Sequence, residues 1–119
     1  MSIKDDIDEQ IDRDAARLHD LYYTDEFRLP SLAERERIEK LAEECAEVVQ
    51  ICMKILRHGY ESCNPFDPKR TSNRDLLNGE LTDVSATLLD MRRKGDIPAL
   101  DAIEVSKRVE AKHKYDHFQ

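Results

Sequence analysis

Glu44 and Glu47, and further along Glu80 and Asp83, are acids set three residues apart. On an α-helix such residues share a face, so each pair can offer two oxygen ligands in one direction. Two such helices packed face to face would gather four carboxylates around one point. Unpaired charge in a compact core is strongly unfavourable, and divalent cations relieve it. An all-oxygen set suits Mg²⁺ or Mn²⁺ over iron or zinc, and Mg²⁺ held by carboxylates usually keeps positions open for phosphate oxygens. Carboxylate-bridged di-iron bundles would need Glu-x-x-His, which neither pair supplies. The pattern points to a metal-dependent enzyme acting on a phosphate ester or anhydride.

Four helical segments would have to position these acids. The first is predicted from about Lys4 to Tyr23, with Ile7, Ile11, Ala15, Leu18 and Leu21 at helical spacing. Thr24–Pro30 breaks it. Ser31 followed by Glu34 reads as a capping box opening a long helix to about His58, and Gly59 is a plausible residue to end it. A polar loop with two prolines runs from Tyr60 to Asn73. A third helix spans about Arg74 to Lys94, and a fourth is expected to begin at Asp96–Pro98 and reach roughly Tyr115.

Phase matters more than the ends. On the second helix Leu41, Cys45, Val48, Cys52 and Ile55 form one apolar row, and Ala42, Ala46, Val49, Met53 and Leu56 form its neighbour. This arc is wider than a surface helix needs. Glu44 falls at its edge, with Glu43, Glu47 and Lys54 on the opposite side. On the third helix Leu77, Leu81, Val84, Leu88 and Met91 define a stripe with Glu80 near its middle. Asp and Glu number 26 in the chain, so acidic pairs such as Asp5/Asp8 and Glu36/Glu39 arise as solvated faces. Glu80 differs from these because it interrupts an apolar row, a local rule-breaking that tends to mark a site.

A length of 119 residues fits a single domain. Charged residues make up 38% of the chain, with three Gly and four Pro, the profile of a helical protein with solvated outer faces. The net charge of −7 argues against nucleic acid, whose backbone needs a basic surface. It leaves a nucleotide open, because bound metal reverses the local field. With no long apolar run, no signal region and three cysteines lacking metal or disulfide spacing, the expectation is a soluble cytoplasmic protein with no membrane partner. Cys45 and Cys52 are expected as small buried hydrophobes.

The strings EKLAEECAEVVQICMKILRHG and LLNGELTDV resemble the MazG-like all-α nucleoside triphosphate pyrophosphohydrolases. The family signature, Glu-Glu-x-x-Glu on one helix and Glu-x-x-Asp on the next, corresponds to Glu43, Glu44, Glu47 and then Glu80, Asp83. The likeness covers about residues 38–91. The connection between the acidic pairs is longer than usual, and its insert, at about 59–73, resembles small MazG-like proteins of phages. The resemblance implies an all-α, four-helix subunit assembling into a homodimer or a tetramer of two dimers. It also implies hydrolysis of a (deoxy)nucleoside triphosphate to the monophosphate and pyrophosphate, in control or sanitation of the nucleotide pool. Guanine nucleotides, dGTP first, are the favoured substrates, with a pyrimidine left open.

Two or three Mg²⁺ or Mn²⁺ ions would be held by Glu44, Glu47, Glu80 and Asp83. Glu43 and Glu47 are the candidates for catalytic roles, Glu43 by orienting the attacking water, accepting its proton or binding a further ion. Cationic partners for the phosphates are Lys54 and Arg57, with Lys112 and Tyr115 suggested by the family's last helix. Asn64 and Asn73, with Phe66, are candidates for a base pocket, although Asn and Pro also serve simply as turn formers. Arg57 and His58 equally suit the end of a helix dipole. Two other readings stand beside this one. One is a non-catalytic helical module pairing its apolar faces with another chain. The other is a hydrolase of the same fold acting on phosphoribosyl-ATP, a diphosphate or an alarmone.

Overall fold

The computed structural model describes residues 2–23 and 28–118, and among them it is all-helical. The order is α1 (Ile3–Tyr23), α2 (Leu32–His58), α3 (Asn73–Arg93) and α4 (Ala102–His113). No strand occurs among the described residues, only an isolated bridge between Cys63 and Ser72. The break expected at Thr24–Pro30 lies partly outside the described residues, at 24–27. No helix is long and apolar enough to cross a membrane among the described residues. The chain divides into two compact units, Met1–Ile38 and Glu39–Gln119, with the boundary inside α2.

In the first unit α1 is opened by Ser2. Its hydroxyl accepts from the Asp5 backbone N–H at 3.3 Å, while its own N–H donates to the Asp5 carboxylate at 2.9 Å. The capping box read at Ser31 is present in the same form. The Glu34 N–H donates to Ser31 Oγ at 3.2 Å and the Ser31 N–H donates to Glu34 Oε1 at 3.1 Å. Arg28 adds a bidentate pair to the Glu34 carboxylate. Together, Arg28 first, these hold the Glu34 carboxyl down at about 2. The apolar positions Ile7, Ile11 and Leu18 of α1 stay exposed.

The second unit carries the carboxylate pairs. α2 ends as expected, with Gly59 in the left-handed region (φ +87°) and its N–H donating to the Ile55 carbonyl at 2.7 Å. The connection 59–72 is tightly bonded. Asp67 accepts backbone N–H groups of Lys69 and Thr71, both at 3.0 Å, which lowers its pKa. Asn64 Oδ1 accepts from the Phe66 N–H. Asn73 is buried and ties the ends together: its N–H donates to the Ser62 carbonyl and its Nδ2 to the Gly59 carbonyl at 3.0 Å. α3 and α2 therefore run antiparallel from this loop. Ser72 caps α3, accepting from the Asp75 N–H at 3.1 Å.

Gly95, at φ +82°, stops α3, with the Asp96 N–H returning to the Met91 carbonyl. The fourth helix begins later than the sequence suggests. Pro98–Leu100 is irregular, and Asp101 is the N-cap, its side chain accepting from the Ile103 and Glu104 N–H groups. An acceptor side chain placed just before the helix satisfies two orphan donors, which neither Asp96 nor Pro98 does here.

Half-buried or buried positions on α2 include the row Leu41, Glu44, Val48, Ile51 and Ile55, and on α3 the row Leu77, Glu80, Val84, Leu88 and Met91. Both rows step by three and four residues, the spacing of a helix seam, and both contain an acid. The other half of α2's apolar arc is uncovered: Val49 is 60% and Leu56 78% exposed. Cys45 and Cys52 lie on that half and are exposed, so their expected burial is corrected. One neighbouring helix covers only part of an arc this wide. Replacing Ser72 with Ala should cost about 1 kcal/mol through loss of the α3 cap, read as a lower urea midpoint, with Ser72→Asp retaining most of it.

Candidate functional site

Where the two seams meet, Glu44, Glu47 and Glu80 each place a carboxylate oxygen within 4.8 Å of the others. All three are half-buried. Glu47, placed by helical phase on the side away from the apolar arc, is thus part of the contact. α3 packs along the flank of the arc that carries Glu44 and Glu47, and not against its centre.

The cluster is electrostatically frustrated as a set of bare acids. Glu44 Oε2 and Glu80 Oε2 are buried without a hydrogen-bond partner. The Glu80 pKa is raised, first by a side-chain hydrogen bond with Glu47, then by burial and by the charges of Glu47, Asp83 and Glu44. The Glu44 pKa is raised, first by burial, then by Glu47, Asp83 and Glu43, with a hydrogen bond to Glu47 as well. Carboxyls raised in this way keep protons to a higher pH than free ones, and a divalent ion would compete with those protons.

Asp83 and Glu43 are exposed and stand at the rim. The charge of Asp83 reaches both Glu44 and Glu80, and that of Glu43 reaches Glu44. The donors fit a hard divalent ion: carboxylate oxygens only, two of them orphaned, drawn from two facing helices. The structure assembles three of the four proposed ligands directly and brings the fourth within electrostatic range.

Toward the loop end of the same helix pair lies a cavity of about 340 Å³. It is lined by four residues singled out from the sequence, Lys54, Arg57, Asn64 and Asn73. His58, Ser62, Cys63, Pro65 and Leu76 complete it. From sequence His58 is expected only as a partner of the helix end, and Ser62, Pro65 and Leu76 carry no sequence signal of their own; closure of the loop onto α2 and α3 brings them together. Phe66 is 91% exposed and does not line the cavity. Neither do Lys112 and Tyr115, which are exposed at the end of α4. Arg74 is engaged within the loop region, with Glu61 Oε1 at 2.7 Å and its guanidinium 4.4 Å from the Tyr60 ring centroid. No family model, curated protein or solved structure matches the chain.

The raised carboxyls have a consequence for stability. The native state binds more protons at Glu44 and Glu80 than the unfolded chain, whose carboxyls titrate near 4.5. Their stabilisation is present below that pH and is lost as pH rises through the raised folded values. In EDTA, Glu80→Gln should melt higher than the parent protein, with a gap that widens from pH 4.5 to pH 8. Mg²⁺ or Mn²⁺ should raise the melting temperature of the parent more at pH 8 than at pH 5 and leave the variant nearly unmoved. A variant that melts lower at every pH would show that the cluster is not frustrated.

Proposed function

We propose that this chain is a metal-dependent nucleoside triphosphate pyrophosphohydrolase of the MazG-like class. The observation that carries the reading is the convergence of Glu44, Glu47 and Glu80, with two orphaned buried oxygens, between antiparallel helices. A solvated acidic face has no cause to turn carboxylates into a helix seam. A helical interaction module has none either.

Glu44, Glu47, Glu80 and Asp83 would hold two or three Mg²⁺ or Mn²⁺ ions. When bound, these neutralise phosphate charge and lower the pKa of water. The reaction is attack of water on the α-phosphorus and cleavage of the bond from that phosphorus to the α–β bridging oxygen. The electron pair leaves with the β,γ-diphosphate, and the nucleoside monophosphate remains. Glu43, on the solvent side of the cluster, is placed to orient the incoming water and accept its proton, a task for which Glu47 is the other candidate. The half-buried setting strengthens every charge interaction at the reacting phosphorus relative to bulk water.

A second copy of the chain is the proposed cover for the exposed half of the α2 arc. Val49, Met53 and Leu56 are large apolar side chains at helical spacing, each close to half exposed or more. Assembly of two subunits, or of two such pairs, would bury them. The biological role that follows is adjustment of the (deoxy)nucleotide pool, with guanine nucleotides as the first substrates to test.

Glu80→Gln should lower turnover at least 100-fold while the helical circular dichroism is retained. The assay is pyrophosphate release from a panel of ribo- and deoxynucleoside triphosphates with Mg²⁺ and with Mn²⁺. Near-parental rates in the variant would rule out the assignment. Light scattering after size exclusion should give at least twice the subunit mass of 13.9 kDa, with Val49→Glu plus Leu56→Glu shifting it to the monomer. A monomer for the parent chain would exclude the assembly.

A further inference from the structure

The cavity beside the carboxylate cluster differs from it in one decisive respect: no Asp or Glu lines it, while Lys54, Arg57 and His58 do. Among the described residues no carboxylate pairs with any of these three. The residues that might have read a base each commit one group to the loop or lie outside the cavity. Asn64 Oδ1 is bonded to the Phe66 N–H, Asn73 Nδ2 to the Gly59 carbonyl, and Phe66 points to solvent. The charged side chains of the lining, Lys54, Arg57 and His58, are all cationic or able to become so.

The cavity also has a defined place relative to the acids. Lys54 follows Glu47 by seven residues on α2, and Asn73 precedes Glu80 by seven on α3, each about 10 Å along the axis at the helical rise. Lys and Arg carry their charges on long flexible stems, so they can reach back toward the cluster from that distance. Toward the loop, an anionic chain anchored at the acids meets Lys54, Arg57 and His58 together at this cavity.

We propose that this cavity is a diphosphate-binding site that takes the β,γ end of the triphosphate, with Lys54, Arg57 and His58 as its cationic residues. The direction of the substrate is thereby set: the α-phosphate lies at the carboxylate cluster, the leaving diphosphate points toward the loop 59–72, and the nucleoside lies on the other side of the cluster. Arg57 and His58 are therefore ligand-binding residues as well as partners of the α2 C-terminus. The substrate direction rests on the hydrolase reading, whereas anion binding in the cavity does not.

The test is titration of inorganic pyrophosphate into the full chain in EDTA, followed by calorimetry and by backbone amide shifts. The parent chain should bind, with the largest shifts at Ser62, Asn64 and Asn73, and Glu80→Gln should bind equally well or better. The exposed pair Lys54→Ala/Arg57→Ala should weaken binding at least tenfold with an unchanged melt. Absence of binding, binding indifferent to that double variant, or the same shifts produced by a phosphate-free nucleoside would overturn the site. For the source of the diphosphate, the double variant should weaken a non-hydrolysable nucleoside triphosphate but not the monophosphate. An equal loss for both would overturn the stated direction. Because no turnover is measured, failure of the hydrolase reading registers separately in the Glu80→Gln assay.

Discussion

Two carboxylate oxygens, Glu44 Oε2 and Glu80 Oε2, are shut between α2 and α3 with no hydrogen-bond partner, and the rest of the second unit is arranged around that constraint. Each acid occupies a seam position that Leu, Val or Ile fills one turn away. The seam therefore holds only if apolar packing above and below outweighs the local repulsion, and only if protons or cations occupy the gap. Ile51 on α2 and Met91 on α3 are the buried apolar residues among those described, so the packing that opposes the repulsion is modest. Two acids in so thin a seam lower its intrinsic stability.

The loop 59–72 does the mechanical work of setting register between the two helices. Asn73 bonds both Ser62 and Gly59, Ser72 caps α3, and Asp67 pins the chain between them. A slip of α3 by one residue along α2 would rotate Glu80 out of the seam by about 100°. The same bonds shape the cationic cavity, so one loop governs both the spacing of the acids and the place where positive charge collects. Its most apolar side chain, Phe66, is left in solvent by that bonding pattern.

The helical content was legible in the sequence because it rests on local signals. The capping box at Ser31–Glu34, the left-handed glycines at 59 and 95 and the three–four spacing of apolar residues each act within a turn or two. Pro98 is a common first-turn residue, but the effective cap of α4 is Asp101, whose two accepted N–H bonds decide the boundary. The exposure of Cys45 and Cys52 has another cause. Periodicity shows which side of a helix is apolar, not how much of that side a neighbour will cover.

By itself the sequence determined the helices, the stops at Gly59 and Gly95 and the identity of the acids, since each is a property of residues close together in the chain. Tertiary structure alone decided that Glu47 joins Glu44 and Glu80, that Asp83 and Glu43 stay at the rim, and that Lys54, Arg57 and His58 share a cavity with the loop. The physical reason is that these relations depend on the rotation and register of one helix against another. Those are set by side-chain packing and by a few long-range hydrogen bonds, such as Asn73 to Gly59, that no window of local sequence contains.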